Sequence, residues 1–219
     1  MAEGRAPGGT VLWDVDTQRD FCEAGGRLFV PGADAPEVRE AMRRLVGWAR
    51  DEGLPHVASA DDHLHADAEI ADEPDFETTF PAHCLRGTRG AERIPETALL
   101  DPLPLAEAAE EPARIVALLG EGREVLLHKH RLDVFTNPNA TAVIAALGVD
   151  HAVVFGVATD ICVDRTVSGL LGRGIGVTVA KDACAGLDPE RTAACRAAWG
   201  EAGVEVRRVA DIVETGARA

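Results

Sequence analysis

Short apolar runs alternate with amphipathic, helix-length segments along this chain. Six of the runs read as strands: Thr10–Asp14, Pro55–Ala60, Glu124–His128, His151–Val157, Gly176–Ala180 and Val204–Arg208. The fourth, His-Ala-Val-Val-Phe-Gly-Val, is almost continuously apolar, as a strand covered on both faces requires. Helical patterns lie between the strands, and three carry start signals. Asp34 precedes an acid three residues on, Glu37, ahead of Val38, Met42, Leu45, Val46 and Ala49 on one face. Asn137-Pro138 and Asp188-Pro189 each set a capping side chain before a proline at the first helical position. Strands alternating with helices predict a six-stranded parallel sheet with helices on both faces, an α/β/α sandwich in one domain spanning 1–219. One stretch breaks the rhythm. The second and third runs are separated by more residues than a crossover needs, and such an excursion is usually functional or disordered. Its first part, about 61–90, is the expected functional segment.

Composition narrows the class. The 219 residues include 22 Lys and Arg against 37 Asp and Glu, a formal charge of -15. Such a polyanion has no electrostatic reason to seek nucleic acid or an anionic membrane. No apolar run approaches the roughly 18 residues of a membrane span, and the opening Met1–Gly9 shows no apolar signal core. Five cysteines, an odd number without a Cys-x-x-Cys pair, suit free thiols in a reducing cytoplasm.

Open parallel sheets bind ligands beyond the carboxyl ends of their strands, and the chemistry of this chain collects there. The first run is followed by Asp14, Asp16, Gln18 and Asp20, the second by Asp61, Asp62, His63 and His65, the third by Lys129, and the fourth by Asp160 and Cys162. Lys129 is one of two lysines beside twenty arginines. A chain that otherwise uses Arg for positive charge points here to a compact ammonium with a tunable pKa. A free cysteine is ordinarily a small core hydrophobe, the reading that suits Cys195, Cys22 and Cys184. Cys162 differs, because a strand-to-helix turn lowers a thiol's pKa and offers backbone N–H groups to an oxyanion. Asp61-x-His63, with His83 twenty residues on, supplies two imidazoles and a carboxylate for a first-row divalent ion. The surrounding 61–80 stretch holds eight acids and no Lys or Arg, which a solvated acidic loop would also explain.

Taken in order, these blocks resemble the isochorismatase-like cysteine hydrolases, nearest to the nicotinamidases. Asp16-Thr17-Gln18-Arg19-Asp20-Phe21 resembles the family's opening motif. Asp61-x-His63 with Pro81-Ala82-His83-Cys84 resembles the nicotinamidase metal segment, and Lys129 and Gly156–Cys162 match the remaining blocks. The resemblance implies Asp16 as acid and base, Lys129 as the cation beside it and Cys162 as nucleophile. It implies a cis Val157-Ala158 peptide, with the N–H groups of Ala158 and Cys162 as the oxyanion hole. It also implies Phe21 and Phe80 flanking the substrate, and one divalent ion (zinc, with iron or manganese as alternatives) on Asp61, His63 and His83. No organic cofactor is implied. A further ligand, often His in the family, falls by spacing on Glu69, with Glu77 and His65 as competitors. Phe80 stands where nicotinamidases often carry Trp. The implied activity is hydrolysis of a small-molecule amide, nicotinamide first, in a cytoplasmic homo-oligomer. Another amide, carbamoyl or lactam substrate is the alternative; isochorismate hydrolysis and a non-catalytic docking module are less consistent with a retained thiol triad.

Overall fold

A computed structural model describes residues 9–218. The expectation about a signal core rested largely on residues 1–8, outside this range. Seven strands form one parallel sheet: β1 (Thr10–Val15), β2 (His56–Asp61), β3 (Pro102–Leu105), β4 (Glu124–Lys129), β5 (His151–Val157), β6 (Gly176–Ala185) and β7 (Glu205–Arg207). Their order is β3-β4-β2-β1-β5-β6-β7, and every neighbouring pair is parallel. Helices α1 (Arg19–Cys22), α2 (Pro36–Asp51), α3 (Pro112–Gly120), α4 (Pro138–Leu147), α5 (Asp164–Leu171) and α6 (Pro189–Glu201) lie between strands, α7 (Val209–Thr215) follows β7, and helices cover both faces. The chain grows outward from β1 to the β3 edge, then returns to the other side of β1 with β5. The order therefore reverses at β1, where an open α/β sheet leaves its ligand crevice.

The seventh strand, β3, is absent from the sequence reading for a physical reason. Pro102 and Pro104 lack the N–H that a central strand must donate, so the segment does not read as one. The structure places them on an edge that pairs with β4 alone, so those donors are not needed. Leu103 and Leu105 alternate inward while the prolines face solvent. Together with α3, this strand takes up part of the long connection, so the irregular part of the excursion is shorter than the apolar pattern implied.

Local signals mostly held. Asn137 and Asp188 cap α4 and α6 through bonds from Asn139 N and Arg191 N. Asp34 does not cap α2, because Pro36 occupies the first turn and leaves Ala35 as the extended N-cap without a side-chain bond. Met42, Leu45, Val46 and Ala49 still form the buried face of α2. All seven residues of β5 are buried. At Gly156, φ is 128° and a Cβ would stand 2.1 Å from Val15 O, so only glycine lets β5 approach β1 there. Among the described residues no helix is long and apolar enough to cross a membrane.

At the opposite end of the sheet, Glu124 ties β4 to its surroundings. It accepts from Arg50 Nε at 2.9 Å and from Leu100 N, and His56 Nδ1 lies 3.6 Å away. Burial pushes its carboxyl up, but the bonds from His56, Arg50 and Leu100 prevail and hold it at about 2. A carboxyl depressed in the folded state stabilises above its ordinary value, and that contribution is lost as pH falls towards the folded value. Glu124→Gln should therefore cost about 1–3 kcal/mol at pH 7. Urea titrations should show the gap to the parent protein narrowing between pH 4.5 and 3. A gap independent of pH would contradict this assignment.

Candidate active site

Strand register brings the chemistry together. Asp61 and Lys129 end β2 and β4 and are direct partners, as are Val15 and Ser59 on β1 and β2. Asp16 follows β1 with φ +50°, a conformation few non-glycine residues adopt. Cys162 lies in a single π-type turn, Thr159–Val163, between β5 and α5. Lys129 is fully buried. Its Nζ lies 2.9 Å from Asp16 Oδ2 and 3.7 Å from Cys162 Sγ, and it bonds Asp61 Oδ1. Ser59 Oγ donates to Asp16 Oδ1 at 2.7 Å, while Asp16 Oδ2 accepts no well-directed hydrogen bond.

Electrostatics assign each group a resting state. Burial pushes the Asp16 carboxyl up, Lys129 pulls it down, and Asp61 helps to keep it raised. Burial lowers Lys129, but Asp16 and Asp61 outweigh it and hold the ammonium well above its usual range. Burial likewise pushes the Cys162 thiol well up, more than Lys129 pulls it down. The resting thiol therefore keeps its proton, and the Asp16 carboxyl stands in the same cluster with Oδ2 paired to the Lys129 ammonium.

Beside this trio, Asp61, His63, Glu69 and His83 present four buried donor atoms within 4.8 Å of one another. His83 Nδ1 donates to Pro81 O at 2.7 Å and His63 Nδ1 lies 3.2 Å from Asp67 Oδ2, which leaves both Nε2 atoms facing the cluster. Those Nε2 atoms stand 3.4 and 3.8 Å from Asp61 Oδ2 and 3.9 and 3.6 Å from Glu69 Oε1. Bonds of about 2.1 Å arranged tetrahedrally set neighbouring donors about 3.4 Å apart, close to these spacings. His63 Nε2 and Glu69 Oε1 are buried without a hydrogen-bond partner. Burial pulls the His63 ring down, yet the bonds and charges of Asp61 and Glu69 prevail and push it up to about 10. Asp16, Asp61 and Glu69 also outnumber Lys129 by two formal charges. The cluster calls for added positive charge, and its donor set fits a divalent cation.

The two centres meet at one pocket enclosing about 300 Å³ of empty space, part of it open to solvent. Its walls include Phe21, Phe80, Leu28, Val30, Ala158 and Ile161, with Cys162, Asp61, Glu69 and His83 on the polar side. The Phe21 and Phe80 rings lie 5.3 and 6.2 Å from the His83 ring. The Val157-Ala158 peptide is cis.

Residues 10–211 match the isochorismatase domain. The chain belongs to the isochorismatase family of hydrolases. It is 32% identical over 197 residues to the nicotinamidase/pyrazinamidase of Mycobacterium tuberculosis, covering 88% of this chain and 95% of that protein. It is 30% identical over 220 residues to the nicotinamidase of Escherichia coli, covering 92% and 95% respectively. Its fold is similar to that of the Pyrococcus horikoshii pyrazinamidase in complex with zinc, with TM-score 0.71, 23% identity, and coverage of 91% of this chain and 99% of that one.

Asp16, Lys129 and Cys162 lie together at the strand ends beside Asp61, His63 and His83, and Phe21, Phe80 and Ala158 line the adjoining pocket. Of the competing fourth donors, Glu69 joins the cluster, while Glu77 and His65 are exposed. Cys22 and Cys184 are buried and Cys195 is half-buried. Asp160, noted at the strand end, faces away and accepts from Leu187 N and Asp188 N. The sequence reading missed two supports, Ser59 and Asp67, and gave Asp20 of the opening motif no structural role. Ser59 holds Asp16, Asp67 orients His63, and Asp20 accepts from Cys84 N at 2.7 Å behind His83. A Cβ on Gly90 would stand 2.2 Å from that Asp20 carboxylate, so glycine is needed there. Only the placement of Asp67 four residues after His63 was a usable signal.

Stripped protein is expected to take up about one zinc per chain, measured by elemental analysis. Asp67→Asn should weaken that uptake about ten-fold by freeing the His63 ring, and His83→Ala should abolish it at micromolar metal. Full uptake by the His83 variant would remove the ion from this cluster.

Proposed function

We propose that this chain is a cysteine-dependent amidohydrolase that converts nicotinamide and water to nicotinate and ammonia, in one domain whose 61–90 segment carries a zinc site. The carrying observation is that Cys162, with Lys129 and Asp16 buried behind it, and Asp61, Glu69 and His83 of the four-donor cluster meet at one pocket with largely apolar walls. In this mechanism Asp16 takes the Cys162 proton as sulfur bonds to the amide carbonyl carbon. The N–H groups of Ala158 and Cys162 receive the oxyanion. The tetrahedral adduct collapses, the C–N bond breaks, and Asp16 returns its proton to the departing ammonia. Water, deprotonated by the same carboxylate, then attacks the thioester and releases acid and free thiol. Lys129 keeps Asp16 placed and compensates its charge. Asp61, His63, Glu69 and His83 would hold the ion, which supplies a Lewis-acidic anchor for a substrate nitrogen.

The cavity chemistry also favours a neutral substrate. Among the described residues that line it none is Lys or Arg, Lys129 behind it is engaged by Asp16 and Asp61, and two carboxylates line the wall. A substrate bearing its own carboxylate, such as a ureido acid, would find no guanidinium on that wall, and only the ion could receive its charge, in competition with the carboxylates that hold it. A flat ring between Phe21 and Phe80 meets neither problem.

Ammonia release from nicotinamide, pyrazinamide, a ureido acid and a lactam tests the assignment. The two ring carboxamides should be turned over, and chelation should raise their KM strongly. Turnover of the ureido acid with none of the carboxamides would overturn the substrate. Cys162→Ala should reduce kcat to background with the fold retained, whereas Cys195→Ala should keep parental kcat. Parental turnover by Cys162→Ser would refute the thiol mechanism.

A further inference from the structure

Two buried charges beneath the site have no part in the chemistry above. Asp14 is fully buried on β1, two residues before Asp16, and Arg93 reaches it from the excursion with a side chain 10% exposed. Arg93 Nη2 bonds Asp14 Oδ2 and donates to Thr17 Oγ1 at 2.8 Å. Its Nη1 donates to Ser59 O at 3.3 Å and its Nε to Thr97 O at 3.2 Å. Thr17 Oγ1 lies 2.9 Å from Asp14 Oδ1 and 2.6 Å from Thr97 Oγ1, and His56 Nε2 is 3.5 Å from Asp14 Oδ2.

A buried ion pair is weak as a source of stability, since desolvation offsets most of its attraction, and some such pairs serve to fix geometry. Here the acceptors of Arg93 surround Asp16. Ser59 O also accepts from Asp16 N at 3.3 Å, and Ser59 Oγ holds the Asp16 carboxylate. Thr17 is the next residue, and its carbonyl accepts from Ile94 N at 3.0 Å. Gln18 bridges to Arg93 through the backbone, so the 92–94 segment runs along the turn that Asp16 begins. That turn starts with a left-handed φ of +50°. A non-glycine residue stays in such a conformation only when its surroundings over-determine it.

We infer that Arg93, anchored by Asp14, is a positioning residue for Asp16, its guanidinium tying Thr17 and Ser59 together so that the Asp16 carboxylate faces Lys129 and Cys162. The planar fork matters, because four acceptors in different directions exceed what an ammonium can satisfy at once. This inference rests on Asp16 acting as proton acceptor for Cys162.

The test is the double variant Asp14→Val with Arg93→Leu, which removes both charges together and leaves neither unpaired. Its urea midpoint and zinc content should match those of the parent. Its kcat on nicotinamide should fall about ten- to hundred-fold with KM within about two-fold, as for a displaced catalytic group. Alkylation of Cys162 by iodoacetamide, followed by peptide mass spectrometry, should slow by a similar factor, with Arg93→Lys intermediate. A purely structural pair would change the urea midpoint and leave kcat and alkylation untouched; that result overturns the inference. Should the double variant fail to fold, parental kcat and alkylation in a folded Arg93→Lys would overturn it equally. If the parent releases ammonia from no amide, the proposed substrate fails, and the alkylation rates still decide the role of Arg93.

Discussion

A fully buried lysine between two buried carboxylates organises this molecule. An unpaired ammonium at that depth would carry a desolvation penalty of several kcal/mol, so Lys129 requires Asp16 and Asp61 as much as they require it. The requirement is met because β4, β2 and β1 are adjacent and end at one level. Shifting β2 by one residue against β4 would turn Asp61 to the other face of the sheet and leave the ammonium with one partner.

Asp61 joins the two halves of the site through its two oxygens. Oδ1 meets Lys129, whereas Oδ2 faces His63 and His83. The thiol centre and the candidate cation centre thus share one carboxylate, and each constrains the other. Two carboxylates beyond what Lys129 compensates explain why the long connection after β2 folds back over the strand ends. It carries His83 and Glu69 to the cluster and is pinned by Asp20 at Cys84 N and by Gln18 at both backbone atoms of Asp61. The cavity between these centres has largely apolar walls, with Cys162, Asp61, Glu69 and His83 as its polar side.

Much of this was legible from residue order. Apolar runs located six of seven strands, since a strand covered on both faces cannot hide its composition. β3 escaped because a proline's fitness for a strand depends on whether its N–H side has a neighbour, which no local pattern records. The start of α2 was misplaced by one residue for a related reason: Asp34 and Pro36 both signal a helix start, and the backbone geometry of the proline prevailed.

The sequence by itself determined the sheet, the strand ends at which chemistry would gather, and the family to which the chain belongs, because each depends on residue type at short spacing. Only the tertiary structure decided which acid completes the four-donor cluster. Spacing pointed to Glu69 but left Glu77 and His65 as competitors, and burial against His63 and His83 separates Glu69 from those exposed residues. The tertiary structure also supplied Ser59 and Asp67 as supports and the Asp14–Arg93 pair. Arg93 lies 79 residues from Asp14, and such a partnership exists only after strand pairing has brought the two together. Spacing along a chain specifies what one turn or strand can do; contacts between distant segments depend on the register of the whole sheet.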